Sequence, residues 1–348
     1  MKNIAKNIKE RLRNTPFILN NYILFYATPK FAKAESEKIK SKFYTSDSPR
    51  ATNKQVQVIF MADGRRPHGG LTDRLRGLLS TYSVCKQCGY DFRINFVSPF
   101  QLSDYLQPHT FDWRIAPEEI CYNNQDATVE TFLAHGEVLN SSYTYWRTKR
   151  RIRKDAKKFK QIHVYSNASM SEREQKARAC ELFNELFTPI PALQAKLDEN
   201  ARAIGGKYCS ASFRFQQMLG DFKDDKGGHW KTLDSADQQK LMDTCLQQLK
   251  AVREREQIDK MLLASDSIRF LEFAQEWLDF VYVVPGQMMH IEANEPIPFE
   301  VNLKTFVDML MISRAEKAFL FQTGDMYSSN FPRFASELGG IPFEVVQF

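Results

Sequence analysis

Between Lys207 and Phe348 short apolar runs alternate with helically spaced ones, and this alternation leaves few folds open to the chain. Lys260–Ser265 reads as a buried strand, after which Ser267 can cap a helix running through Phe273 and Trp277. Val281–Val284 is a second buried strand, stopped by Pro285-Gly286, and Phe306, Val307, Leu310 and Met311 then keep helical spacing. Ala318–Phe321 is a third strand. The loop Thr323–Asn330 leads into a helix ending at Gly339-Gly340, and Phe343–Phe348 is the last strand. The stretch Lys207–Phe222 begins in the same way and puts Arg214 where its strand ends. Strand and helix repeated like this predict a parallel sheet with crossover helices, a Rossmann-like α/β domain.

Open α/β sheets bind ligands beyond the carboxyl ends of their strands. Arg214, Asp266 and the pair Ser328-Ser329 all fall on that edge, each just after a strand. Taken singly, Arg214 reads equally as half of a surface salt bridge. The coincidence of three polar sites on one edge is what points to a ligand.

At 348 residues the chain is too long for one ordinary core and suits two domains. With 43% hydrophobic and 26% charged residues it is a soluble globular type, and no run is long enough to span a membrane. A net charge of +6 favours an anionic ligand or surface. The six cysteines are scattered, which fits reduced thiols of a cytosolic protein rather than a disulfide framework.

Residues 2–13 place Ile4, Ala5, Ile8 and Leu12 on one stripe among Lys and Arg, either a membrane-surface helix or a packed terminal one. Residues 16–31 are apolar but broken by Asn20-Asn21 and Pro29, against a signal peptide. Residues 32–54 read as a linker or solvated helix. The next domain starts at the strand Val56–Met61 and runs into Asp63–Gly77, a glycine-bearing loop opening a helix faced by Leu71, Leu75, Leu78, Leu79 and Tyr82. Strand, glycine loop, helix is an arrangement whose free N–H groups receive anions, although the spacing is neither a Walker loop nor a dinucleotide fingerprint.

Phe92–Val97 and Ile162–Ser166 are further strands of this domain. Cys85 and Cys88 have no second pair with which to hold zinc and read as core thiols. Trp146–Lys160 is the most basic run; it lacks interleaved stacking aromatics, which argues against nucleic acid and for a solvated helix or a collar for an acidic substrate. Residues 171–206 look helical, with Leu182, Phe183, Leu186 and Phe187 on one face, and join the two domains. Ser235–Gln238 resembles a capping box ahead of a helix striped by Leu241, Cys245, Leu249 and Val252.

Gly69–Ser80 resembles the Gly-Gly-Leu-Gly-Asn/Asp-Arg opening of the fucosyltransferase superfamily, which includes the bacterial nodulation-type, α-1,6- and protein O-fucosyltransferases. Ser212-Phe-Arg-Phe is similar to its His-x-Arg strand motif, and Leu263–Ser267 to its Ala-Thr-Asp segment. Phe306–Glu316 followed by Ser328–Ala335 resembles its third motif. Two departures stand out: Ser212 replaces the usual His, and Thr323–Tyr327 lengthens the third loop.

The resemblance spans about residues 55–345 and implies a bacterial member with two Rossmann-like domains of GT-B type. The boundaries expected are a basic extension over 1–54, an acceptor-side domain over 55–170, a helical connection over 171–206 and a nucleotide-sugar domain over 207–348. The activity implied is an inverting, metal-independent transfer of fucose from GDP-fucose, with no cofactor, to a glycan such as a surface-polysaccharide or lipid-linked precursor. Arg214 would bind the diphosphate and act as the catalytic cation. Asp266 and Asp308 would contact the nucleoside, Ser328 and Ser329 would hold phosphate, and Gly69, Gly70 and Arg74 would belong to the donor-binding set. Asp73 and Asp221 are candidates for the acceptor base, although each reads more simply as a solvated carboxylate. The expected setting is cytoplasmic, with peripheral contact to the inner membrane through residues 1–31 and without nucleic acid. Alternative readings are a transferase using another nucleotide sugar, or a non-catalytic sugar-nucleotide or nucleic-acid binding protein.

Overall fold

The computed structural model describes residues 28–66, 68–133, 142–222, 232–286, 298–324 and 326–348. The terminal stripe over 2–13 and most of the segment 16–31 lie outside the described residues. The chain forms two compact units. One takes the described residues up to Ser98 together with Thr110–Gln175, and the other takes Pro99–His109 and Lys176–Phe348.

The first unit contains helix α1 (Thr28–Phe43), strand β1 (Gln57–Ala62), helix α2 (Leu71–Cys88) and strand β2 (Asp91–Phe96). In the second unit, β3 (Leu106–Pro108) pairs antiparallel with β6 (Phe187–Pro189). The first unit continues with β4 (Ala127–Phe132), α3 (Ser142–Asp155) and β5 (Gln161–Ser166). Its sheet has the order β2-β1-β5-β4, with every pairing parallel. β1, β4 and β5 are buried along their whole length, as strands covered on both faces must be.

Of the two alternatives for 32–54, a linker or a solvated helix, the stretch begins as a helix, but one with a buried face, and β4 was not foreseen. Pro29 falls in the first turn of α1, where a missing N–H is harmless, and Ala32, Glu35, Ser36 and Ile39 form its buried face. Ser36 Oγ donates to Thr131 Oγ1 of β4 at 3.2 Å. β4 itself escapes an apolar-run search because Thr128, Glu130 and Thr131 are buried polar residues, the last two held by partners far along the chain. Thr131 Oγ1 donates to the Ala32 carbonyl at 2.6 Å, and Glu130 pairs with Arg151 of α3.

Helix α2 comes so close to β5 that Gly77 has no substitute. A Cβ there would lie 1.8 Å from the Ser166 carbonyl oxygen. The helix closes at Gly89, in the left-handed conformation at φ 68°.

In the second unit α4 (Glu172–Leu186) and α5 (Pro191–Ile204) flank β6, so Phe187 begins a strand instead of completing the helical face expected over 171–206. Strand β7 (Cys209–Phe213), α6 (Ser235–Glu256), β8 (Met261–Ser265), α7 (Ile268–Trp277) and β9 (Val281–Tyr282) follow. The chain closes with α8 (Phe299–Ser313), β10 (Ala318–Gln322), α9 (Phe331–Gly339) and β11 (Phe343–Gln347). The cap of α6 is Asp234, whose carboxylate accepts from the Asp237 N–H, one residue ahead of the expected Ser235.

All strands of this sheet are parallel in the order β11-β10-β7-β8-β9. Chain order therefore runs outward from β7 in one direction through β8 and β9, then restarts on its other side with β10 and β11. That reversal between β7 and β10 is a topological switch point. Phe213, Phe215, Phe270, Phe319 and Phe321 belong to the buried core beneath it.

Candidate active site

The site in the second unit starts from the alternation of β7. Ala211, Phe213 and Phe215 all lie in the core. The Phe213 ring stacks on Phe321 at 4.8 Å and on Phe215 at 5.7 Å between centroids. With its neighbours so anchored, Arg214 takes the opposite side, where its guanidinium lies 4.6 Å over the Phe222 ring with 16% of the side chain exposed.

Asp266 follows the adjacent strand β8 and reaches across to the same turn. Its carboxylate accepts from the Phe215 N–H at 2.8 Å and the Gln216 N–H at 2.7 Å, and lies 3.3 Å from Arg214 Nη1. Burial pushes its pKa up, against the pull of Arg214 and the two peptide N–H groups. Gln216 sits at φ 53°, a left-handed conformation that a non-glycine residue adopts at a cost. Asp266 therefore holds the backbone that carries Arg214 as well as facing its guanidinium.

Asp221 lies in the same neighbourhood. It accepts from Ser267 Oγ at 2.9 Å and from the Arg269 N–H at 3.0 Å, while Ser267 Oγ accepts from the Phe270 N–H. The N-terminus of α7 is thus closed by a serine and a carboxylate, both hydrogen-bonded into it.

On the other side of β7, the loop after β10 passes over the strand end. The Tyr327 N–H donates to the Arg214 carbonyl at 3.2 Å. Ser328 and Ser329 follow directly, the first exposed and the second half-buried, and Ser329 Oγ accepts from the Phe331 N–H at the start of α9. Arg214, Asp266 and the loop bearing the serine pair therefore meet at the switch point. Three buried side-chain atoms of this turn and strand, Ser210 Oγ, Ser212 Oγ and Gln216 Oε1, have no hydrogen-bond partner among the described residues. No residue signature marked Gln216 or Phe222 in advance; Ser212 was visible as a departure from the His-x-Arg pattern.

Asp308 is placed differently. It lies on α8, fully enclosed, with both carboxylate oxygens 2.8–2.9 Å from Lys304 Nζ one turn earlier. Burial raises its pKa and Lys304 opposes the rise. Lys304 was not foreseen, although its i, i+4 spacing from Asp308 is the signal that could have shown the pair.

In the first unit the glycine loop leads from β1 into α2. Gly69 has φ 84°, Gly70 precedes the first residue of the helix, and a Cβ on Gly69 would meet the Asp73 carboxylate. Arg74 is buried; its Nε donates to the Gly69 carbonyl at 3.0 Å and its Nη1 to the Ser98 carbonyl. Burial lowers its pKa to about 10. Arg74 thus braces the loop from inside.

A second polar group in this unit was not foreseen. Asp63 accepts from Tyr165 Oη at 3.0 Å and lies 3.3 Å from Arg65 Nε, whose guanidinium covers the rings of Phe43 and Tyr122. His163, fully buried, shares a 2.6 Å hydrogen bond between its Nδ1 and Tyr44 Oη. Among the described residues no group of three or more His, Cys, Asp or Glu side chains could hold a metal ion.

No protein-family model matches the chain, and no curated protein matches it. Solved structures do. The NodZ α-1,6-fucosyltransferase soaked with GDP-fucose aligns over 85% of this chain and 95% of its own, at 14% identity and a TM-score of 0.51. A variant of Arabidopsis thaliana FUT1 in complex with GDP aligns over 94% and 78%, at 11% identity and a TM-score of 0.52. POFUT1 in complex with GDP aligns over 86% and 99%, at 11% identity and a TM-score of 0.50. The chain therefore has an α/β fold of two Rossmann-like units, the GT-B type of these fucosyltransferases. Within that class, the fold is shared along nearly the whole length of the NodZ and POFUT1 chains.

Proposed function

We propose that the protein is a glycosyltransferase that moves fucose from GDP-fucose to a glycan acceptor, by an inverting reaction that needs no metal or cofactor. The observation that carries this reading is the meeting of Arg214, Asp266 and the Ser328-Ser329 loop at the switch point of the second sheet. Its support is the fold it shares with three transferases solved with GDP or GDP-fucose.

In this reading residues 207–348 form the donor domain, 55–170 the acceptor side and 171–206 the connection between them. The Arg214 guanidinium binds the diphosphate and neutralises the charge that gathers on GDP as the glycosidic bond breaks. Ser328 and Ser329 hold phosphate at the N-terminus of α9. Asp266 and Asp308 shape the nucleoside end. Gly69, Gly70 and Arg74 belong to the donor-binding set, at the glycine loop that opens α2. The acceptor hydroxyl attacks the anomeric carbon on the face away from GDP, the bond to the diphosphate oxygen breaks, and the hydroxyl proton passes to a base. Asp73 and Asp221 are the two base candidates; Asp221 also accepts two hydrogen bonds at the start of α7.

A surface-polysaccharide or lipid-linked precursor is the acceptor class proposed, in a cytoplasmic setting at the inner membrane. Among the described residues no helix is long and apolar enough to cross a membrane. Isothermal titration with GDP, UDP and GDP-fucose tests the donor. GDP and GDP-fucose binding with release of GDP is the expected result, and tight UDP binding without GDP binding would overturn it.

A further inference from the structure

Helix α3 divides its basic residues into two groups. Tyr145, Thr148 and Ile152 form its buried face. Arg151 pairs with Glu130 on β4, and the Arg147 guanidinium lies 5.7 Å over the Phe132 ring, so these two arginines fasten the helix to the sheet. Asp155, the last residue of the helix, sits with Glu130 and Arg151. What remains on the helix is Trp146, Lys149, Arg150, Arg153 and Lys154, at the i, i+3, i+4, i+7 and i+8 spacing of one straight face about 12 Å long, and Lys157 in the turn after the helix continues it.

Five cations therefore line up along one side of α3 and the turn after it, and among the described residues none of them is paired with a carboxylate; Lys149 Nζ donates to Gln87 Oε1 at 2.6 Å. At one end Trp146 is 51% exposed. The first 27 residues of the chain carry Lys2, Lys6, Lys9, Arg11 and Arg13 against the single carboxylate Glu10, so they are no electrostatic match for this face.

We propose that the outer face of α3 is a docking surface for a bilayer rich in anionic phospholipid, with the five cations at the headgroup phosphates and Trp146 at the interface. Lys and Arg stems spread a cationic head across a surface while their methylenes lie along it, and Trp favours the headgroup level. A nucleic acid is the poorer fit. The Trp146 ring already stacks on Tyr143 at 5.8 Å and carries the Arg150 guanidinium at 5.4 Å, contacts that a stacking base would have to displace.

The test is partition of the full chain onto phosphatidylcholine vesicles with and without phosphatidylserine, for wild type and the triple variant Arg150→Glu/Arg153→Glu/Lys154→Glu. Each is compared also in a background with Lys2, Lys6, Lys9, Arg11 and Arg13 changed to Gln. Wild type should bind only the anionic vesicles, release in high salt, and lose on the order of tenfold or more in partition with the triple variant, in either background. Circular dichroism confirms that the variant is folded, and Trp146→Ala in the Gln background should weaken partition with the charges intact. The proposal is overturned if partition is unchanged by the triple variant, if it is lost with the N-terminal charges alone, or if a single-stranded oligonucleotide competes the vesicles off.

Discussion

The peptide N–H of Tyr327 donates to the carbonyl of Arg214 at 3.2 Å, so the loop after β10 is tied to the residue that follows β7. The Arg214 side chain and the serine hydroxyls are thereby held at neighbouring points of one strand edge. Arg214→Ala should lower turnover on the order of 10²- to 10³-fold, the scale of other lost transition-state donors. Arg214→Lys should recover little, because an ammonium cannot present the planar fork. Steady-state release of GDP from GDP-fucose measures both, and near-normal turnover in the alanine variant would remove Arg214 from the reaction.

Asp266 supports two buried peptide N–H groups and a cation at once. Asp266→Ala should destabilise the second unit by about 3 kcal/mol, since those donors lose their acceptor in a place water does not reach. Urea unfolding reads the loss. The same variant should weaken GDP binding, because the turn carrying Arg214 is no longer fixed.

Lys304 and Asp308 form an enclosed pair, with less than a tenth of either side chain exposed. Removing one partner strands the other charge, so Lys304→Met should cost about 3–5 kcal/mol. The double variant Lys304→Met/Asp308→Leu should recover most of that. If it recovers stability but loses GDP binding, Asp308 has a role beyond its pairing; unchanged GDP affinity would remove it from the nucleoside site.

Gly77→Ala should destabilise the first unit by about 2–3 kcal/mol despite the better helix propensity of alanine, since the added carbon collides with backbone and not with a pliable side chain. A fall in thermal midpoint measures it.

His68 and His163 are both held neutral by burial, with pKa values lowered from 6.5 to about 3. Below pH 6.5 the unfolded chain takes up protons that the native state refuses. The stability due to these rings is therefore complete above pH 6.5 and drains as the pH falls toward 3. Each should account for about 2 kcal/mol lost between pH 7 and pH 5. Denaturant titrations at the two pH values check this, and His163→Asn should make the difference smaller.

Most of the second sheet was legible because Met261–Ser265 and Ala318–Gln322 are compact apolar runs followed by a polar residue at the ligand edge. The buried strand expected over Val281–Val284, however, is only the half-buried pair Val281–Tyr282, at the sheet's edge where one side goes uncovered. In the first unit β4 was hidden, since its Thr and Glu are buried against α1 and α3 by hydrogen bonds between residues up to 99 positions apart. β3 and β6 were hidden by Pro108 and Pro189 in strands of three residues each. In the site, Arg214 and Asp266 could be named from their positions after strands. Their contact, the left-handed turn at Gln216 and the bond from Tyr327 could not, because each depends on which strands become neighbours.

Flanked by Phe213 and Phe215, Arg214 takes its bearing from the hydrocarbon below it. A small change on the oily side of the sheet, such as Phe213→Leu, would tilt a charge on the wet side. Drift in the core would then register as weakened chemistry before it registered as a looser protein.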